Sequence, residues 1–133
     1  MENSGMTLNK RFAITGAILC GIAIILGAFG AHALKSVVGP STVETWVLGT
    51  RFQLFHGLAL LIMGVFPQRT FLNRVYWLMM AGVVCFSGSL YLLTFKSVLA
   101  DGVLKIIGPI TPIGGTLLIA AWFYLAFGIK KNY

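Results

Sequence analysis

The chain has 133 residues, the size of one domain. Its composition is 58% hydrophobic and 10% charged, against roughly 25% charged in an average soluble domain, and its mean hydropathy is +0.91. Ten Lys and Arg with three Asp and Glu cannot cover the surface of a soluble fold this small. The soluble and disordered classes are excluded, and the sequence reads as an all-α integral membrane protein forming one membrane domain over residues 1–133.

A bilayer core requires about 20 mostly apolar residues per helix. Runs of that kind predict four transmembrane spans, at about 12–31, 47–66, 75–95 and 113–129, in a four-helix bundle. The first begins after Lys10-Arg11 and ends at Ala31-His32-Ala33, which imitates a signal peptide. Its apolar run is longer than a signal core and further spans follow, so an uncleaved helix is expected. Gly16, Cys20, Ala23, Gly27 and Gly30 lie on one face of that helix. Small residues there allow close helix packing, within the chain or in a homo-oligomer.

Between the first two spans, Gly39-Pro40-Ser41 signals a turn, with Ser41 as a candidate cap and Glu44 in the first turn of a helix. The short connection at 67–74 makes spans two and three an antiparallel hairpin. Before the fourth span, Asp101-Gly102 reads as a turn and Gly108-Pro109 as a break. Thr111 then reads as an N-cap and Pro112 as the first helical residue.

The net charge of +7 does not point to nucleic acid, because the cations stand singly or in pairs at the edges of apolar runs. Lys10, Arg11, Arg69, Arg74, Lys130 and Lys131 share one side with the termini, where Glu2 is the one carboxylate. Lys35, Arg51, Lys96 and Lys105, with Glu44 and Asp101, fall on the other side. The positive-inside rule places both termini in the cytoplasm. Cys20 and Cys85 sit inside apolar runs and behave as small buried side chains.

Because chain direction alternates, the end of span one, the start of two, the end of three and the start of four meet at one face. That face gathers His32, Arg51, Gln53, His56, Ser87, Tyr91 and Thr111. Polar groups in hydrocarbon are costly and turn inward or to a water-filled cavity. A polar pocket or network beneath the extracytoplasmic surface is therefore expected.

Four motifs also carry a resemblance: Gly27-Ala-Phe-Gly-Ala-His-Ala-Leu34, Gln53-x-x-His56-x-Leu-Ala59, Phe86-Ser-Gly-Ser-Leu-Tyr91 and Thr111-Pro-Ile-Gly-Gly115. Together they resemble the domain-of-unknown-function family 423, small four-span membrane proteins, mostly bacterial, with relatives called the transmembrane protein 256 family. The resemblance implies this fold and a multi-pass location in the bacterial plasma (inner) membrane, and it supplies no activity. Phe52 departs from it, since the family often has Tyr before the Gln, which removes a phenol from any shared role.

Several functions fit these residues. The polar set can be an interhelical hydrogen-bond network in a structural or assembly protein. It can be a pocket for a small or lipid-like ligand or a partner helix, centred on Arg51, Gln53 and His56 and closed by His32, Ser87, Tyr91 and Thr111. In that case Gly114 and Gly115, at the expected start of the fourth helix, would let an anionic group approach free backbone N–H donors. A small transporter is a further alternative, limited to a histidine relay because no Asp or Glu lies within a span. No metal and no cofactor are expected, haem between His32 and His56 being the alternative. A serine hydrolase built on Ser87 or Ser89 lacks a carboxylate to orient the base, so an enzyme is not favoured. The lipid bilayer is the expected partner and nucleic acid is not, with a homo-oligomer or a small-molecule or lipid ligand as alternatives.

Overall fold

The computed structural model of the protein describes residues 8–132. Glu2, counted above among the charges beside the termini, lies outside them. Four α-helices follow one another: α1 (Lys10–His32), α2 (Pro40–Met63), α3 (Thr70–Leu93) and α4 (Asp101–Asn132), with a single 3-10 turn at Leu34–Ser36. All four are long and apolar enough to cross a bilayer. The end of the bundle that carries Lys10, Asn132 and the α2–α3 connection is called the termini end below, and the opposite one the far end.

Each helix starts before the apolar stretch that predicts it, because backbone hydrogen bonding does not follow hydropathy, whereas α2 and α3 end short of the predicted 66 and 95. Four local expectations change, the first being that Asp101-Gly102 opens α4 instead of forming a turn. Ser41 is not a cap: α2 starts one residue earlier, with Gly39 extended at the N-cap and Pro40 at the first helical position, where the missing N–H costs nothing. Gly108-Pro109 does not break the chain, and Thr111 is no N-cap. α4 runs unbroken through Pro109 and Pro112, a tolerance usual for membrane helices, whose freed backbone groups are satisfied by neighbours. At 1.5 Å per residue α4 is about 48 Å long, against a hydrocarbon core of about 30 Å. Its first turns therefore stand beyond the apolar stretch.

α2 and α3 form the centre, α1 packs on α2, and α4 packs on α3. Half of the most apolar part of α2 is buried and 44% of that of α3, against 17% for α1 and α4. The α1–α2 seam depends on glycine. A Cβ on Gly16 would stand 2.6 Å from the Gly57 carbonyl oxygen, and one on Gly57 would meet the Cys20 sulfur at 2.8 Å. The face predicted from small residues thus packs within the chain.

The two halves of the bundle hold together differently. Towards the termini end the interior is an apolar cluster that includes Phe12, Leu60, Met63, Val75 and Met79. Phe12 stacks on Tyr76 at 4.7 Å between centroids, and the Arg11 guanidinium covers the Tyr76 ring and donates to the Asn73 amide oxygen. These contacts tie α1 to α3 without close backbone packing. The far half is joined by hydrogen bonds and by tilted or edge-on aromatic contacts.

Candidate functional site

The site begins with Gln53, buried on α2. Its Nε2 donates to the Leu19 carbonyl of α1 at 3.0 Å, and its Oε1 accepts from the Tyr91 hydroxyl of α3 at 2.9 Å. One side chain thereby joins three helices. Above it, towards the far end, Trp46 lies over Gly30, where a Cβ would approach the indole to 2.5 Å. Its Nε1 donates to the Leu26 carbonyl at 2.7 Å, and its ring packs on Tyr91 at 4.8 Å. Gly49 leaves room for the Tyr91 ring.

His56, one turn further along α2, is also buried. Trp122 of α4 donates from Nε1 to His56 Nε2 at 3.0 Å. With Nε2 accepting, the remaining ring proton sits on Nδ1, which donates to the Phe52 carbonyl at 2.7 Å. Both ring nitrogens are therefore engaged within the protein. Phe52, the position where the family often has Tyr, packs on Phe86 at 4.6 Å.

A third pair joins α3 to α4: the Ser89 and Thr111 hydroxyls are 2.7 Å apart, and Ser89 also donates to the Phe86 carbonyl at 2.9 Å. Gly114 and Gly115 fall inside α4, not at its start. Gly114 is pressed against the Phe86 backbone, and Gly115 meets the Phe86 ring. They serve helix packing, and the free N–H donors expected there are taken up by the helix. Ser87 is 1% exposed and its Oγ has no partner.

The expected residues thus divide into separate hydrogen-bonded pairs. Gln53 and Tyr91 meet, His56 meets Trp122, and Thr111 meets Ser89. Arg51 and His32 are exposed at the bundle surface, Arg51 beside Glu44 along a depression on α2. The two histidines also lie at different depths. Gly57, beside His56, packs on Cys20, and Cys20 lies about 18 Å from His32 along α1 at 1.5 Å per residue. That separation, with both His56 nitrogens engaged, does not fit one iron held axially by the pair. Among the described residues, no group of three or more His, Cys, Asp or Glu is placed to hold a metal ion.

The contributors that escape sequence reading are the carbonyls of Leu19, Leu26, Phe52 and Phe86 and the indoles of Trp46 and Trp122. A backbone acceptor leaves no mark in a sequence. Each indole does carry one signal, an N–H inside an apolar run that requires an acceptor.

Four apolar helices tied by polar pairs within the membrane define a small multi-span membrane protein of the α-helical class. The chain belongs to the family described as "Protein of unknown function (DUF423)", whose model matches residues 26–115. It is 42% identical over 124 residues to a UPF0382 membrane protein of Staphylococcus aureus (strain bovine RF122 / ET3-1), covering 92% of this chain and 97% of that one. It is 34% identical over 126 residues to the UPF0382 membrane protein YwdK of Bacillus subtilis (strain 168), covering 92% and 98%. No solved structure matches the chain.

Proposed function

We propose that this chain is a non-catalytic membrane protein with a structural or assembly role in the bacterial plasma membrane. In this reading both termini face the cytoplasm, and the polar residues of the far half lock the bundle. The observation that carries it is the Gln53 amide, which donates to α1 and accepts from α3. The His56 ring supports the same reading, since both its nitrogens bond within the protein. Transport through a histidine relay is disfavoured by the same geometry, because a relay requires a ring nitrogen open to a donor or to water.

Thermal unfolding in mild detergent, paired with native mass spectrometry, tests the proposal. Gln53→Ala and His56→Ala are expected to unfold at lower temperature than the parent, with no co-purified mass lost from the variants. Variants that unfold with the parent but lose a bound small molecule would instead make the far half a ligand site.

A further inference from the structure

Arg51 is a charged residue set within the depth of the membrane on an exposed face. The Gly64 carbonyl, just past α2, accepts from the Asn9 N–H beside Lys10 and Arg11, cations of the headgroup level. Arg51 stands about 20 Å from Gly64 at 1.5 Å per residue, inside a hydrocarbon core of about 30 Å. Its side chain is exposed, and among the described residues it makes no ion pair and no hydrogen bond. A charge in hydrocarbon is costly and requires a partner or an escape to the interface.

Side chains of a helix lean towards its N-terminus, which for α2 is the far end. Arg51 therefore leans up α2 towards Glu44, two turns on and on the same face. Arg51 and Glu44, with Val43, Val47 and Leu48, line one depression of about 230 Å³. Glu44 is exposed, has no ion pair among the described residues, and lies about 30 Å from Gly64, at the edge of the core. The depression thus carries a cation on its deeper side and a carboxylate on its outer side. An aminophospholipid head has the opposite order, a phosphate next to the glycerol and an ammonium beyond it. The arginine fork suits the phosphate, and a primary ammonium brings three N–H donors to the carboxylate. A choline head brings none, and a phosphoglycerol head leaves Glu44 without a counter-charge.

We propose that this depression holds the head of a phospholipid with a primary amine, from the leaflet that meets the far end. Its phosphate lies on Arg51 and its ammonium on Glu44. One acyl chain runs down α2 over Phe55 and Leu58, which are exposed and follow Arg51 on the same face. Arg51 and Glu44 take no part in the hydrogen bonds that lock the bundle, so lipid retention and unfolding are read separately.

Native mass spectrometry of the full chain in mild detergent tests it, by titration with phosphatidylethanolamine, phosphatidylcholine or phosphatidylglycerol of the same chains. Phosphatidylethanolamine is expected to be retained in preference to the other two. Arg51→Gln should lower its retention by roughly fivefold, and Glu44→Gln should abolish its preference over phosphatidylcholine. Lys35→Gln, which removes a cation from the neighbouring depression, should leave that preference in place. All three side chains are exposed, so the variants are expected to unfold with the parent. Equal retention of the three lipids, unchanged retention in Arg51→Gln, an unchanged preference in Glu44→Gln, or an equal loss in Lys35→Gln overturns the proposal. Loss of a dimer in Arg51→Gln with lipid retention intact overturns it too, and gives this face to a second copy.

Discussion

Gln53 sits where a single uncharged side chain does the most for a membrane bundle. Away from water, hydrogen bonds between helices contribute roughly 0.6–2 kcal/mol each, and Gln53 makes two of them to different helices. A double-mutant cycle on Gln53→Ala and Tyr91→Phe should return a coupling within about that range; strictly additive losses would deny the bond. The two buried serines of α3 separate bonded from unbonded hydroxyls. Ser89→Ala removes a partner of Thr111 and should cost about 1 kcal/mol, whereas Ser87→Ala removes a hydroxyl without a partner and should be neutral or stabilising. Unfolding of both variants in one detergent measures the contrast. That Gln53 and Tyr91 belong to one end of the bundle is legible in the sequence, because chain direction alternates from span to span. Who bonds whom is not, because the rotation of each helix about its axis is set by packing. Arg51 and Gln53 are two residues apart on α2, yet one is exposed and the other buried.

Helices α1 and α2 approach through glycines, and their seam is unforgiving. At Gly16 the obstacles to a Cβ are the Gly57 oxygen and the Leu61 nitrogen, both backbone atoms, so no side-chain rotation relieves the clash. Gly16→Ala should destabilise the bundle by about 1–3 kcal/mol, the usual cost of overpacking. Gly21→Ala, where a Cβ meets nothing within 4 Å, is its control. Thermal unfolding of the two side by side is the check, and equal behaviour would contradict the seam. The small-residue face of α1 is visible in sequence through its spacing, because close packing selects small residues directly. Helix ends are much less visible. Hydropathy reports the surrounding solvent, while a helix ends where its hydrogen bonds end, and α4 carries Pro109 and Pro112 without interruption. An apparent N-terminal signal at Thr111-Pro112 therefore sits in mid-helix, and the Thr111 hydroxyl is turned to Ser89 instead of capping.

For the whole molecule, the division of labour between the halves follows charge as well as packing. The termini end carries Lys10, Arg11, Arg69, Arg74, Lys130 and Lys131, and the far end carries Lys35, Arg51, Lys96 and Lys105 beside Glu44 and Asp101. Short loops rich in Lys and Arg stay in the cytoplasm, with acids contributing little to the bias. On the proposed reading, six cations against four would orient the bundle with its apolar, basic-rimmed end inward. Cysteine accessibility in intact cells tests this orientation. In a Cys20→Ala, Cys85→Ala background, a single Gln68→Cys marks the α2–α3 connection, and a single Val98→Cys marks the far end, where Val98 is 79% exposed. A membrane-impermeant maleimide should modify the cysteine at position 98 in intact cells and the one at 68 only after the membrane is opened. The reverse pattern would put the termini outside. It would also set the basic-rimmed end against the outer leaflet, leaving the cation bias of the loops without its usual meaning.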